Sequence, residues 1–327
     1  MIVVTGATGL VGNVLLHDLA AEGTTGLRAV VRRGSSTAVL SDIDIEFVEG
    51  DVLDSDSLLR AFDGADVVYH LAGTVSIASG GYKQLRKANV DGTRNVLVAC
   101  RQAEVGRLVY ASSVHALVRQ PHGTCLTETV AVDPDQVHGA YDRTKAEATR
   151  LVLQAAQEGL DAVVVYPSGI LGPFDHRPSP TGAAIVACGR GRIGAYVHGG
   201  YNFVDVRDVA QGLMAAAAKG RSGEGYLLTG DEISVSDLLQ TVARLAGTRP
   251  PRLRLPLGFI KAVSPLIPVY YWVSRERPLF TSYSLEVLSS NCRMSHDKAT
   301  RELGFSPRPV QETLEDAVRW FREQGMI

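Results

Sequence analysis

Cysteine is scarce in this chain of 327 residues: there are four, at Cys100, Cys125, Cys188 and Cys292, too scattered for metal-ligand spacing. That excludes a disulfide-stapled scaffold and a zinc ribbon, and reads as reduced thiols in a cytosolic protein. Excess charge is missing too. Basic residues number 33 and acidic ones 35, giving a net charge of −2, so nothing favours a nucleic-acid partner. A membrane span needs about 20 unbroken apolar residues. The most apolar stretch, 253–273, is interrupted by Arg254, Pro256, Lys261, Pro265 and Pro268, so no transmembrane segment is expected. It is read as lobe core or pocket wall, with an interfacial amphipathic segment as the alternative. An apolar strand beginning at Met1 or Ile2 leaves no room for a signal or transit peptide, so the expected location is the cytoplasm.

What is present is an ordinary globular composition, 45% apolar and 21% charged, in a chain long enough for one large domain or two. Strands and helices alternate through the first 170 residues, the mark of βαβ units and a parallel sheet. Strands are predicted at 2–4, 27–31, 45–48, 66–71, 107–112 and 162–166, and helices at 10–21, 55–62, 82–102 and 141–158. After Pro167 the texture changes. Prolines at 173, 178 and 180 predict a loop, and glycines crowd 189–200. A strand turning into a helix is expected over 203–219, a short strand at 226–229, and a helix capped by Ser234 and ended by Gly247. The tail 310–323 is amphipathic, with Leu314, Ala317, Val318 and Phe321 on one face. The expected fold is α/β, a Rossmann-type doubly wound parallel sheet with a smaller C-terminal α/β substrate lobe. Residues 1–170 form the dinucleotide-binding domain, segments near 201–230 return to it, and 171–327 make up most of the lobe.

The first strand runs straight into glycines at Gly6, Gly9 and Gly12. Gly6 permits a turn with positive φ, Gly9 lets the backbone approach a pyrophosphate, and Gly12 lets the next helix pack closely on the sheet. Backbone around Thr8, Leu10 and Val11 then belongs to the phosphate site, where a helix N-terminus favours an anion. The second strand ends in Arg32 and Arg33, with no acid nearby to hold ribose hydroxyls; a guanidinium suits a 2′-phosphate, so NADP(H) is favoured and NAD(H) is the alternative. Asp51 and Val52 follow the third strand and suit the adenine edge. Leu71, Ala72 and Gly73 end the fourth, at the carboxyl ends of the strands, where open α/β sheets bind ligands.

Tyr141 and Lys145 lie four residues apart and so share one helical face. A phenol titrates near pH 10 and is a poor acid–base group at neutrality. A nearby ammonium, together with the cationic nicotinamide of an oxidised cofactor, is expected to lower that value. Ser113 can then hydrogen-bond the substrate oxygen and hold it against Tyr141.

The stretches TGATGLVG, HLAG, NVDGTRNV (89–96), the serines Ser112 and Ser113, YDRTK and PSGILGP (167–173) resemble the extended short-chain dehydrogenase/reductases. The branch is that of dihydroflavonol-4-reductase-like reductases, 3β-hydroxysteroid dehydrogenases and nucleotide-sugar epimerases. The resemblance implies Tyr141 as acid–base, Lys145 as its activator and ribose ligand, and Ser113 as substrate orienter. It also implies that Asn89 supports a relay water behind Lys145, that Ser112, Pro167 and Ile170 border the cofactor, and that helices 82–102 and 141–158 form a homodimer interface. Sugar epimerases carry Tyr-Gly after their serines, whereas this chain has Leu117 there. Together with Arg32 and Arg33 this favours an NADPH-dependent reductase of a small carbonyl substrate, or oxidation of the corresponding alcohol. The apolar 253–273 stretch hints at an aromatic, alicyclic or steroid-like substrate. An NAD-dependent epimerase or dehydratase and a non-catalytic NADP-binding regulator are the alternatives. Val75, His115 and Arg207 are candidate substrate contacts; Arg207 reads equally as a salt bridge to Asp205 or Asp208, and His115 as a packed imidazole.

Overall fold

In the computed structural model, which describes residues 1–75, 81–256, 287–288 and 291–327, seven parallel strands form the central sheet. They are β1 (Ile2–Thr5), β2 (Leu27–Val31), β3 (Glu46–Glu49), β4 (Val67–His70), β5 (Arg107–Ala111), β6 (Ala162–Pro167) and β10 (Gly225–Leu228), in the order β10-β6-β5-β4-β1-β2-β3. The order reverses between β1 and β4, so a crevice opens at their carboxyl ends. Alternation along β1 explains its burial on both sides: Val3 joins the core on one face and Val4 the core on the other. All six residues of β6 are buried, as a central parallel strand with covered faces requires.

One face is covered by α2 (Ser55–Phe62), α4 (Gly92–Gln102) and α5 (Ala140–Gln157). The other is covered by α1 (Leu10–Ala21), α7 (Val206–Lys219) and α9 (Asp297–Leu303). Asp54 starts α2 by accepting hydrogen bonds from the Asp56 and Ser57 amides, which supplies partners for two otherwise orphaned donors. The helix expected over 82–102 is interrupted: α3 (Tyr82–Arg86) and α4 are joined by a π turn over Lys87–Asp91. Such a turn inserts a residue without ending the helix and is frequent at functional sites; Asn89 lies within it.

Beyond Pro167 the chain builds a second layer. A three-stranded sheet pairs β7 (Gly169–Leu171), β9 (Gly200–Asp205) and β11 (Asp231–Ser234), and β8 (Ala195–Val197) pairs with β12 (Leu253–Leu255). A third core forms among α6 (Pro180–Gly189), α8 (Val235–Ala246) and α10 (Val310–Glu323), where Ile185, Leu239, Leu314 and Phe321 meet. Part of the proline-rich stretch expected to be loop is helix: Ser179 caps α6 with its hydroxyl and Pro180 occupies the first turn, where its missing N–H costs nothing. Of the segment near 201–230, β10 and α7 complete the seven-stranded sheet and its cover, while β9 belongs to the small sheet. Residues 257–273 of the apolar stretch lie outside the described residues. No helix among the described residues is long and apolar enough to cross a membrane.

Candidate active site

A cleft of about 960 Å³ opens at the reversal point and runs from the end of β2 to the wall made by α8. At its centre β1 turns into α1. Gly6 has φ +73°, and a β-carbon there would sit 2.7 Å from the Ala72 amide nitrogen, so the turn and the end of β4 approach only because Gly6 lacks one. Gly9 caps α1 without any side-chain partner, and its first turn carries no acidic residue. The free N–H groups of that turn make a seat for an anion. Thr8, Leu10, Val11 and Gly12 line the same wall. A β-carbon at Gly12 would meet Gly6 and Ala7, so this glycine closes the turn on itself rather than fitting the helix to the sheet.

The two arginines part company. Arg32 lines the cleft with Ser35 and Ser36, and no ion pair engages it among the described residues. Arg33 does not line the cleft; its guanidinium pairs with Glu49 at 2.8 Å, in solvent. Asp51 and Val52 border the same end, with the Asp51 carboxylate accepting from the Leu53 amide at 2.9 Å. Leu71, Ala72, Gly73, Val75, Ser112, Pro167 and Ile170 also line the cleft.

Ser113, Tyr141 and Lys145 all line the cleft. Tyr141 begins α5 and Lys145 follows one turn later, while Ser113 leaves β5. The phenol of Tyr141 is pushed up to about 12 by burial, opposed by a hydrogen bond from Ser113 and reinforced by the Asp142 carboxylate. Burial thus outweighs Ser113 and acts against the lowering expected from sequence. The Lys145 ammonium is engaged elsewhere: it donates to the Ala111 carbonyl at 2.8 Å and the Tyr110 hydroxyl at 3.2 Å, and lies over the Tyr110 ring. Burial lowers its pKa to about 7. Beneath it, His70 is fully buried between Thr5 at 2.8 Å and Thr93 at 3.0 Å. Burial and the nearby Lys145 depress its pKa to about 3, so it is a neutral structural histidine.

Asn89 reaches the cleft but spends its amide on structure. Its Oδ1 accepts from the Thr74 amide at 2.7 Å, and its Nδ2 donates to the Thr74 carbonyl and the Thr144 hydroxyl. Arg207 lies outside the cleft lining, bound to Asp205 and Asp316 at 2.7 and 2.8 Å. His115 does line it, with its ring in a T-shaped contact with that of Tyr141, centroids 5.9 Å apart. Sequence reading missed Tyr110, Tyr201, Phe203 and the apolar wall of Ile233, Leu238 and Leu239, all but Tyr110 in the cleft lining. A signal existed for two of them: Tyr201 and Phe203 alternate along β9 and so share a face.

Comparison with known proteins gives a consistent picture. Residues 2–228 match the model of the NAD dependent epimerase/dehydratase family. The chain is 38% identical to sterol demethylase protein B of Methylococcus capsulatus, over 99% of each chain. It is 35% identical to a Synechocystis sp. protein carrying the name of a dihydroflavonol 4-reductase, over 99% of this chain and 95% of that one. The solved structure of gox2253 superposes with a TM-score of 0.88 at 35% identity, covering 100% of this chain and 99% of that one.

Proposed function

Since the chain belongs to the NAD-dependent epimerase/dehydratase family, and is thereby an NAD(P)-dependent oxidoreductase, we propose that it reduces a ketone or aldehyde with NADPH, using Ser113, Tyr141 and Lys145. The observation carrying this reading is the presence of Ser113, Tyr141 and Lys145 in the same cleft as the glycine turn, with Lys145 buried one helical turn beyond Tyr141. A regulator that only senses the nucleotide has no need of that grouping.

The residues fit a dinucleotide: a turn that a β-carbon at Gly6 would block, an uncapped helix N-terminus, and Arg32 at the adenosine end. When bound, the nicotinamide supplies the hydride. Everything else falls to side chains of this chain. Ser113 donates a hydrogen bond to the substrate oxygen and orients it against Tyr141. Burial keeps the Tyr141 phenol protonated at neutral pH, which suits a group that must donate a proton to a developing alkoxide. Hydrogen-bond donors aimed at that oxygen stabilise the charge as it forms. Lys145, with its pKa near 7, is poised to exchange a proton at neutral pH. Arg32 is the residue for a 2′-phosphate.

The substrate half of the cleft is walled by Phe174, Ile193, Phe203, Ile233, Leu238 and Leu239. That wall suits an aromatic, alicyclic or steroid-like carbonyl better than a sugar nucleotide, and the relatives named for sterol demethylation and dihydroflavonol reduction agree with it. A homodimer pairing the faces of α4 and α5 belongs to the same reading. The test is NADPH oxidation against a panel of ketones and aldehydes, with fluorescence titration of NADPH and NADH. Turnover with a clear NADPH preference is expected. A clear NADH preference, or NAD retained through purification, turns the assignment toward the epimerases.

A further inference from the structure

Away from the nucleotide end, the small lobe gathers positive charge without counter-charge. The turn after α6 with β8 (190–200) and the end of α8 with β12 (241–256) carry Arg190, Arg192, Arg244, Arg249, Arg252 and Arg254. Neither stretch contains an acidic residue. The two lie side by side. A β-carbon on Gly191 would stand 4.0 Å from that of Thr248, and the Thr248 hydroxyl donates to the Cys188 carbonyl at 3.3 Å. Leu253, Arg254 and Leu255 pair in register with Ala195, Tyr196 and Val197.

All six guanidinium-bearing residues are exposed, and none forms an ion pair among the described residues. Arg190 turns its Nε to the Met326 carbonyl instead, at 2.7 Å. The tail helix adds Arg322, which donates to the Leu245 carbonyl at 2.9 Å, and Glu323 after it. Exposure alone does not explain the missing partners. The side chains of Arg33, Arg221 and Arg319 are 88%, 62% and 64% exposed, and each holds a carboxylate. In a chain of net charge −2, arginines left unpaired together point to a partner from outside.

The patch also has an apolar member. Leu253 stands between Arg252 and Arg254 and is 59% exposed. The same stretches reach the cleft wall: Ile193, beside Arg192, lines it, and Leu288, which packs with Leu255 on Val197, lines it too. None of the six arginines lines the cleft, so the nucleotide does not claim them. We propose that this surface docks on an anionic lipid bilayer, its guanidiniums pairing with headgroup phosphates and Leu253 entering the boundary between headgroups and acyl chains. A nucleic acid would engage the charge and leave the leucine without a role. The docking surface stands whatever the substrate is.

The test sediments the full chain with sucrose-loaded vesicles of phosphatidylcholine alone, or of phosphatidylcholine and phosphatidylglycerol in equal parts. Binding is expected on the anionic vesicles only, and is lost at about 0.5 M NaCl. Each arginine at such a surface is worth about fivefold in affinity. The double variant Arg252→Ala, Arg254→Ala should therefore bind about 25-fold more weakly, and Leu253→Ser about fivefold or more. Arg60→Ala with Arg301→Ala removes two exposed arginines elsewhere and should stay within about twofold of wild type. Circular dichroism and the thermal midpoint report that each variant is folded. Failure to sediment with anionic vesicles at low salt, equal binding to the neutral ones, or equal losses in the two double variants overturns the proposal. Retention of a single-stranded RNA without vesicle binding assigns the surface to nucleic acid and overturns it as well.

Discussion

Asp205 holds Arg207 twice over: one carboxylate oxygen accepts from the Arg207 amide at 2.8 Å and from its Nε at 2.9 Å, while the other accepts from an Nη at 2.7 Å. The carboxylate thus caps α7 and fixes the guanidinium in one stroke. Its side chain is fully buried, and Asp316 closes the pair from the tail helix. Arg207→Ala leaves that charge without its main partner and is expected to cost about 3 kcal/mol. The loss should appear as a lowered thermal midpoint with KM unchanged. A raised KM at unchanged stability would return Arg207 to the substrate site.

Arg32 and Arg33 should differ sharply in a binding assay. Arg32→Ala is expected to weaken NADPH by about tenfold or more, as for a lost charge-assisted hydrogen bond, with little effect on NADH. Arg33 pairs with Glu49 in solvent, an arrangement worth about 0–1 kcal/mol, so Arg33→Ala should leave both affinities nearly alone. Fluorescence titration of each nucleotide checks both outcomes.

In the proposed reaction, Tyr141→Phe removes the proton donor and keeps the ring. Turnover should fall by about 10²-fold or more, the usual worth of a positioned general acid, while NADPH affinity stays within about twofold, since a phenol contributes at most one hydrogen bond to the cofactor. Retained turnover in a stopped-flow assay would remove Tyr141 from the chemistry.

Gly6 combines positive φ with backbone contact. Gly6→Ala places a methyl group against the Ala72 amide in a left-handed conformation, at a cost of about 1–3 kcal/mol. Reduced thermal stability and loss of NADPH binding are expected together. An alanine variant with wild-type affinity would mean that the turn can open without consequence.

Acid should find His70. Burial, with Lys145 nearby, holds its folded pKa near 3, whereas an unfolded histidine titrates near its ordinary value. Between those values the unfolded chain binds a proton that the folded chain refuses. The stability linked to His70 is therefore full above about pH 6.5 and is lost as the pH falls toward 3. His70→Gln should be less stable at pH 7.5 but show a flatter melting temperature between pH 6.5 and 4. Parallel slopes in the two proteins would assign the acid sensitivity to other groups.

Legibility in the sequence tracked how local each cause was. Ser55–Phe62 and Val310–Glu323 were readable to the residue because caps, breakers and periodicity all act within a few positions. The glycine turn and the Tyr141–Lys145 pair were readable for the same reason. The Arg33–Glu49 pair was not, because it depends on β2 lying beside β3. The π turn gives no compositional sign, and it interrupts a helix that otherwise looks continuous. Tyr201 joins His115 only through a long-range fold, across 86 positions of sequence. The engagement of Lys145 by Ala111 and Tyr110, rather than by Tyr141, likewise appears only once α5 is laid over β5.

The pairing of β10 with β6 also sets an order of events during synthesis. Until the ribosome has added everything through Leu228, β6 stands as an apolar strand with one side open, the kind of edge that recruits other chains. The growing chain must make most of the small lobe's first strands before its nucleotide half can close. Truncation just after Leu171 should therefore yield an aggregating fragment rather than a minimal binding domain, and a nascent chain of that length is where a chaperone would be needed.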